Sequence, residues 1–441
     1  MTIDLARDTE RDVIRIVEDG TSEFESALAR LVSRGADDLA AVEPAVRAIV
    51  ADVRERGDAA VVEYAARFDG AVPAPLFTRS FDGAGALARL APEVRDALAF
   101  AAGRIRAYHE RQRDDGFRYE DAGVTLGSRV RPVRRAGVYA PGGKARYPSS
   151  VLMTAIPARV AGVADVVLAT PRPNDLLLAA AHLAGVTAVL DAGGAHAIAA
   201  LAYGTSTVPR VDKIVGPGNL YVTAAKRLVF GDVDIDGLAG PSEILVVADA
   251  SADAEVVAAD LLSQAEHDEA AYALLVTTER SLAEAVDRAL EARLATLPRR
   301  EIATTSVRER GLVLVVATRA RMLDVADAIA AEHVALQVDD PDGAFDAIGA
   351  IGAAFVGAST PEAAGDYLAG PSHVLPTGGA VRFGSPLGVY DFVARSSYIR
   401  YTPAALAAQA PHITALARAE GLEAHARAVE ARATSSKTTT R

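Results

Sequence analysis

The stretch best equipped for chemistry is Leu261-Leu262-Ser263-Gln264-Ala265-Glu266-His267-Asp268. It lies near the end of an apolar, alanine-rich helical pattern that opens at Ser251 or Asp253, either a suitable cap. Gln264 and His267 are three residues apart, on one helical face and one turn from each other. A neutral amide oxygen and an imidazole so placed could grip a metal if other segments added ligands. Alone, the octapeptide reads as a polar helix end with a surface histidine. The chain has eight histidines, few enough to weigh singly. His182 and His412 read as structural, and His109 as a surface residue at the polar end of a long helix. Glu332-His333 stands where a helix meets a strand. Asp366 and His373 flank Gly370-Pro371-Ser372, a turn that can bring two polar side chains together. Glu420 and His425 are separated by five positions with Gly421 between. A mononuclear site of Gln264, His267, Asp366 and His425 would leave positions open for substrate and suit zinc, with manganese or cobalt as replacements. Spacing cannot itself assemble three distant segments.

The rest of the composition narrows the chemistry. There is no cysteine, which excludes disulfides, thiolate metal sites and a thioester route to carbonyl oxidation. The 441 residues carry a net charge of −12 with Lys and Arg scattered, so nucleic acid is not an expected partner. No apolar run approaches the roughly 18 residues that cross a bilayer. Residues 1–12 are acidic and lack an apolar core, so no secretory signal is expected and the cytoplasm is the default.

The elements that must position these residues fall into blocks. Residues 20–125 read as largely helical, over 24–33, 42–56, 59–68 and 92–112. Gly83-Ala84-Gly85-Ala86-Leu87-Ala88 mimics a dinucleotide fingerprint but follows no convincing strand, and Ala-rich sequence makes such matches by chance, so it is discarded. From about 130 the texture becomes strand, glycine turn, helix. Strands are expected at 135–140, 164–169, 186–191 and 211–215, with helices at 149–160, 175–184, 195–203 and 220–230. Such repetition argues for a parallel sheet, and glycine turns at strand C-termini present N–H groups that favour a pyrophosphate. A second set follows, with strands at 243–248, 272–277, 311–317, 334–338 and 353–356. The C-terminal part reads as two helices, 403–408 and 412–432, and an unstructured tail from 433. The expected fold is therefore α/β: two Rossmann-like parallel-sheet domains, a helical N-terminal region and a small C-terminal helical unit. The grouping is a helical arm 1–30, a first α/β domain 31–136 plus 242–386, a cofactor domain 137–241 and a C-terminal unit 387–441.

The chain resembles the histidinol dehydrogenase family from about 30 to 430. The resemblance is carried by Gly137-Val138-Tyr139-Ala140-Pro141-Gly142-Gly143-Lys144, Tyr147-Pro148-Ser149-Ser150, Ala197-Ile198-Ala199-Ala200-Leu201-Ala202-Tyr203-Gly204-Thr205 and Val215-Gly216-Pro217-Gly218-Asn219. Ala239-Gly240-Pro241-Ser242-Glu243-Ile244, the 261–268 octapeptide, Glu332-His333, Gly365-Asp366-Tyr367, His373-Val374-Leu375-Pro376-Thr377, Glu420 and His425 complete it. The resemblance implies zinc, one per subunit, held by Gln264, His267, Asp366 and His425, and an acid–base pair in Glu332 and His333. It implies substrate contacts at Ser242, His373 and Glu420 besides the zinc ligands and His333, and NAD contacts at Tyr139 and Asn219. His196 stands at the NAD-contact position where the family usually has Gln, and Ser372 stands where Asn is common. The family's C-terminal segment crosses to the partner, so a homodimer with shared sites is implied.

The implied reaction takes L-histidinol through the aldehyde to L-histidine with two NAD⁺ reduced, in histidine biosynthesis. His333 suits the alcohol proton. Without cysteine the aldehyde adduct must come from water, which calls for a carboxylate such as Glu332. Two rivals remain: a dehydrogenase of the same build acting on another polar alcohol such as sulfopropanediol, and a catalytically silent metal- or nucleotide-binding module.

Overall fold

A computed structural model describes residues 13–34, 38–142 and 147–435. The expectations for 1–12, for Gly143-Lys144 and for the tail beyond 435 lie outside the described residues. In chain order the strands are β1 (Arg15–Glu18), β2 (Phe77–Thr78), β3 (Phe117–Asp121), β4 (Val124–Pro132), β5 (Arg135–Tyr139), β6 (Asp165–Ala169), β7 (Ala188–Leu190) and β8 (Lys213–Val215). They continue with β9 (Asp234–Ile235), β10 (Glu243–Ala248), β11 (Tyr272–Thr277), β12 (Leu312–Val315), β13 (His333–Gln337), β14 (Ala353–Val356) and β15 (Val393–Tyr401).

Two six-stranded sheets, both in one compact unit formed by residues up to Gln112 and Arg134–Phe392, carry the candidate site. One has the order β2-β7-β6-β5-β8-β9, parallel except for β2. Its centre is β5, and the order reverses between β5 and β8, the kind of switch point where nucleotides bind. The other has the order β1-β12-β11-β10-β13-β14 and is parallel throughout. Its strands read as unbroken apolar runs because both faces are covered. Ile244 and Val246 of β10 face Val257 and Leu261 of helix Ala254–Ala265, whereas Leu245 and Val247 face Phe24, Val325 and Ile329 on the other side.

The helical blocks distribute differently from the sequence grouping. Residues 38–110, joined above to 242–386, pack instead on the β5-centred sheet. Val46, Ile49, Val50 and Val53 of helix Asp38–Arg56 share a core with Ile198 and Leu201, and helix Pro92–Glu110 packs on helix Pro148–Val160. The N-terminal arm contributes a strand, since β1 pairs with β12 in register Arg15 with Leu312. Gly83–Arg89 is a helix capped by Asp82, with residues 79–82 between it and the short strand β2.

The second compact unit, Arg113–Val133 with Val393–Arg441, contains an antiparallel sheet β15-β4-β3 that the helical reading of 20–125 and of the C-terminus missed. The side chains of β3 and most of β15 are exposed and those of β4 mostly half-buried, so the sheet lacks the buried alternation that marks a strand in sequence. Its helices are Pro403–Ala419 and Glu423–Ser435. The break lies at Gly421, whose φ of +76° ends a helix readily, and not at Pro411, which the first helix accommodates. The last helix reaches Ser435, past the expected start of the tail.

Candidate active site

Helix Ala254–Ala265 begins where Asp253 accepts the N–H of Glu255. Val257 and Leu261, both fully buried, fix its rotation with about 1.5–3 kcal/mol of burial each. That rotation buries Gln264 completely, while His267 follows in the turn just past the helix. Gln264 Nε2 lies 3.3 Å from His267 Nδ1, and Gln264 Oε1 has no hydrogen-bond partner. A buried carbonyl oxygen left unpaired costs about 1–3 kcal/mol, a cost that a cation would remove.

Glu332 and His333 sit at the N-terminal end of β13, where Ile244 of β10 pairs with His333. Glu243, one residue upstream, organises both. Its N–H donates to Glu332 Oε2 at 2.9 Å, and its carboxylate accepts the N–H of Glu332 at 3.2 Å. Its carbonyl lies 2.9 Å from His333 Nδ1. A carbonyl can only accept, so Nδ1 carries the proton and Nε2 keeps its lone pair, the state a general base needs. The Glu243 carboxylate is met by Arg34 in a two-pronged pair at 2.6 Å on each oxygen, both side chains nearly inaccessible. Burial, reinforced by Glu243, Glu362 and Asp366, raises Glu332 well above the ordinary carboxyl range. Burial lowers His333, with Asp366 opposing.

Asp366 and Glu362 share the short helix Glu362–Tyr367. Ligand atoms of His333, Glu362 and Asp366 lie within 4.8 Å of one another. Glu362 Oε2 accepts the Ser263 hydroxyl at 2.7 Å, while its Oε1 is buried without a partner. Burial, then Asp366, pushes Glu362 up to about 8. His373 is tied by Nδ1 to the Asp366 carbonyl at 3.0 Å, and its Nε2 lies 3.2 Å from Ser150 Oγ in helix Pro148–Val160. The two sheet domains thus meet at this histidine. Burial lowers His373 too, and both Asp366 and His267 act on it electrostatically. Ser242 immediately precedes Glu243, and Ser372 is buried, donating to the Met153 carbonyl at 3.2 Å. Among the described residues, Glu332, Glu362 and Asp366 have no Lys or Arg partner. Three acids beside His333 and His373, with the orphaned amide oxygen of Gln264, gather oxygen and nitrogen donors in one place. The donor set, oxygen and imidazole nitrogen without thiolate, fits zinc or a similar divalent ion.

The glycine turns lie at the C-terminal ends of the other sheet's strands. Tyr139 ends β5, is buried, and its hydroxyl accepts the Gly194 N–H at 3.0 Å. Burial raises it to about 12, so it stays a phenol. Asn219 is exposed and caps helix Leu220–Val229, its Oδ1 accepting from Tyr221 and Val222 at 3.1 and 3.2 Å. His196 is only 1% exposed. Its Nε2 lies 3.2 Å from Asp69 Oδ2, which also accepts the Gly193 N–H at 3.0 Å. His196 therefore braces the Gly193-Gly194 turn from behind.

His425 and Glu420 belong to the second unit, both exposed, Glu420 closing one helix and His425 in the first turn of the next. His182 and His412 are exposed. His109 is fully buried, against the surface expectation. Its helix packs that face on helix Pro148–Val160, and its Nδ1 pairs with Gln112 Oε1 at 2.8 Å. Arg34, Glu243, Glu362 and Asp69 escaped the sequence reading as site residues. Glu362 alone left a local signal, an acid one helical turn from Asp366, unfavourable unless the pair serves something.

A nucleotide-type switch point and a buried carboxyl–imidazole pair occur in one compact unit, a combination an oxidoreductase can use. Residues 32–433 match the profile of the histidinol dehydrogenase family, and the chain belongs to that family. It is 50% identical over 427 residues to a histidinol dehydrogenase of Syntrophotalea carbinolica, covering 95% of this chain and 99% of that one. It is 51% identical over 416 residues to one of Cereibacter sphaeroides, covering 93% and 96%. A crystal structure of histidinol dehydrogenase from Elizabethkingia anophelis superposes with a TM-score of 0.90 at 33% identity, over 98% of this chain and all of that one. No helix among the described residues is long and apolar enough to cross a membrane.

Proposed function

We propose that the chain oxidises L-histidinol through L-histidinal to L-histidine, reducing two NAD⁺, as a cytoplasmic enzyme of histidine biosynthesis. The observation that carries this reading is the Glu243 clamp. It commits His333 Nδ1 as a donor, frees Nε2, and holds Glu332 next to His333 where burial raises its carboxyl above the ordinary range. Gln264, His267 and Asp366, with the partner subunit's His425, would hold a zinc ion. The ion supplies a fixed positive point for the substrate's amine and imidazole, and the nicotinamide supplies the hydride acceptor.

The chain's own residues do the rest. His333 Nε2 takes the hydroxyl proton as the alcohol carbon is oxidised. Glu332, once ionised, takes a proton from the water that adds to the aldehyde carbon. Ser242, His373 and Glu420 orient the substrate, and Tyr139, His196 and Asn219 shape the turns that receive NAD. The test is NADH counted per histidinol in metal-depleted and zinc-restored enzyme. Two per substrate, with zinc required, is expected, and sulfopropanediol should not be turned over. No NADH from histidinol, or turnover of the sulfonate instead, would overturn the reading.

The exposed positions of His425 and Glu420 support a site completed across a homodimer. Mixing His267→Ala and His425→Ala chains should regain activity in the heterodimer. Failure despite demonstrated subunit exchange would refute the shared site.

A further inference from the structure

We infer that Lys226 and Asp236 are a positioning pair that sets the Gly216-Pro217-Gly218-Asn219 turn for the dinucleotide, a conclusion that rests on the cofactor placement proposed above. Lys226 is 2% exposed on helix Leu220–Val229, and its Nζ donates to the Gly216 carbonyl at 3.1 Å while pairing with the Asp236 carboxylate. Asp236 Oδ2 accepts the Gly216 N–H at 2.7 Å, and Oδ1 accepts the N–H of Gly237 at 2.9 Å. One buried ion pair therefore grips both polar groups of a single residue.

That residue needs gripping. Gly216 has a φ of +121°, where L side chains are strained, and a Cβ there would collide with the Tyr139 carbonyl. β8 has just ended, so no ladder partner holds this peptide. A buried ion pair is weak evidence for stability, since apolar groups of equal volume often do as well. Apolar groups could not, however, supply an acceptor to one side of Gly216 and a donor to the other. Three residues on, Asn219 caps the same helix that carries Lys226. Thr223 of that helix donates to the Ala239 carbonyl at 2.8 Å, fixing it to the segment that follows Asp236. Turn, helix and following segment are thus locked in one arrangement, and the cap that would face the cofactor is held through Lys226 and Asp236 without either touching it.

The test uses full-length, zinc-loaded enzyme and three readouts: NADH binding by fluorescence, histidinol binding by calorimetry, and zinc content. Lys226→Met and Asp236→Asn should each weaken NADH binding about ten-fold, with histidinol affinity and zinc content within about two-fold of wild type, because only preorganisation of the turn is lost. Lys226→Arg, which keeps the charge, should recover most of the NADH affinity. Unchanged NADH binding in both variants overturns the inference. So does parallel weakening of NADH and histidinol with a lowered melting temperature, which would mark general loosening. If Lys226→Met does not fold, Asp236→Asn and Lys226→Arg decide by the same criteria. Asn219→Ala separates the two claims: if it too leaves NADH binding unchanged, the cofactor placement fails, whereas loss there with unchanged pair variants refutes only the pair.

Discussion

The two parallel sheets use opposite ends of their strands. In the β5-centred sheet, Tyr139 ends β5 and Gly193-Gly194 and Gly216 follow the C-terminal ends of β7 and β8, where open α/β sheets ordinarily bind ligands. In the β10-centred sheet, Glu243, Glu332 and His333 stand at the N-terminal ends of β10 and β13. The means of holding polar groups differ accordingly. At C-terminal ends the chain turns into a helix, and side chains such as Asp69 and Asn219 accept the turn's own N–H groups and fix its shape. At N-terminal ends no such amides are offered, so the site is built from buried charges, with Arg34 stabilising Glu243 and Glu243 orienting the acid–base pair. The Gly193-Gly194 turn should tolerate a change at His196 that keeps a donor, whereas the Arg34–Glu243 pair should not tolerate loss of either charge.

The largest test of that contrast is Arg34→Met. Leaving Glu243 buried and unpaired should cost about 3–5 kcal/mol in urea unfolding. Adding Glu243→Leu should restore most of the stability but no activity, since Glu332 and Gly378 lose an acceptor. Full activity in either variant would break the comparison. Next comes pH. Glu332 is raised from 4.5, so its base form is lost as pH falls through a value well above that, whereas His333 is lowered from 6.5 and stays a base below it. The acid limb of histidinal oxidation should therefore lie above the ordinary carboxyl range, and any limb due to His333 in histidinol oxidation below 6.5. Stopped-flow profiles of the separate half-reactions check this, and limbs at the ordinary values would contradict it. The smallest effect is expected on the tolerant edge. His196→Gln keeps a donor for Asp69 and should change NADH affinity by no more than about two-fold; a loss nearer a hundred-fold would make His196 a direct contact.

The same contrast explains what could be read in advance. Glycine turns after apolar strands announce the cofactor edge locally, through Gly193-Gly194 and Gly216-Pro217-Gly218. The parallel sheets were legible because buried strands are continuous apolar runs. The exposed strands β3 and β15 were not, having no buried face to pattern, and β4 between them is mostly half-buried without a clear alternation. At the catalytic edge, Gln264 and His267 could be paired by helical spacing, but Arg34 reaches Glu243 from 209 residues away. No local pattern encodes that contact; the acid–base roles came from resemblance to a family. His109 shows the converse error, a histidine near a polar helix end that tertiary packing buries.

The division of labour at the strand N-termini is tested most directly by Glu332→Gln with each half-reaction measured alone. If the carboxylate activates the water that adds to the aldehyde, histidinal oxidation should fall by about 10²–10⁴-fold while histidinol oxidation to the aldehyde falls far less. Equal loss in both steps would take that role from Glu332 and leave the Glu243 clamp without the chemistry assigned to it.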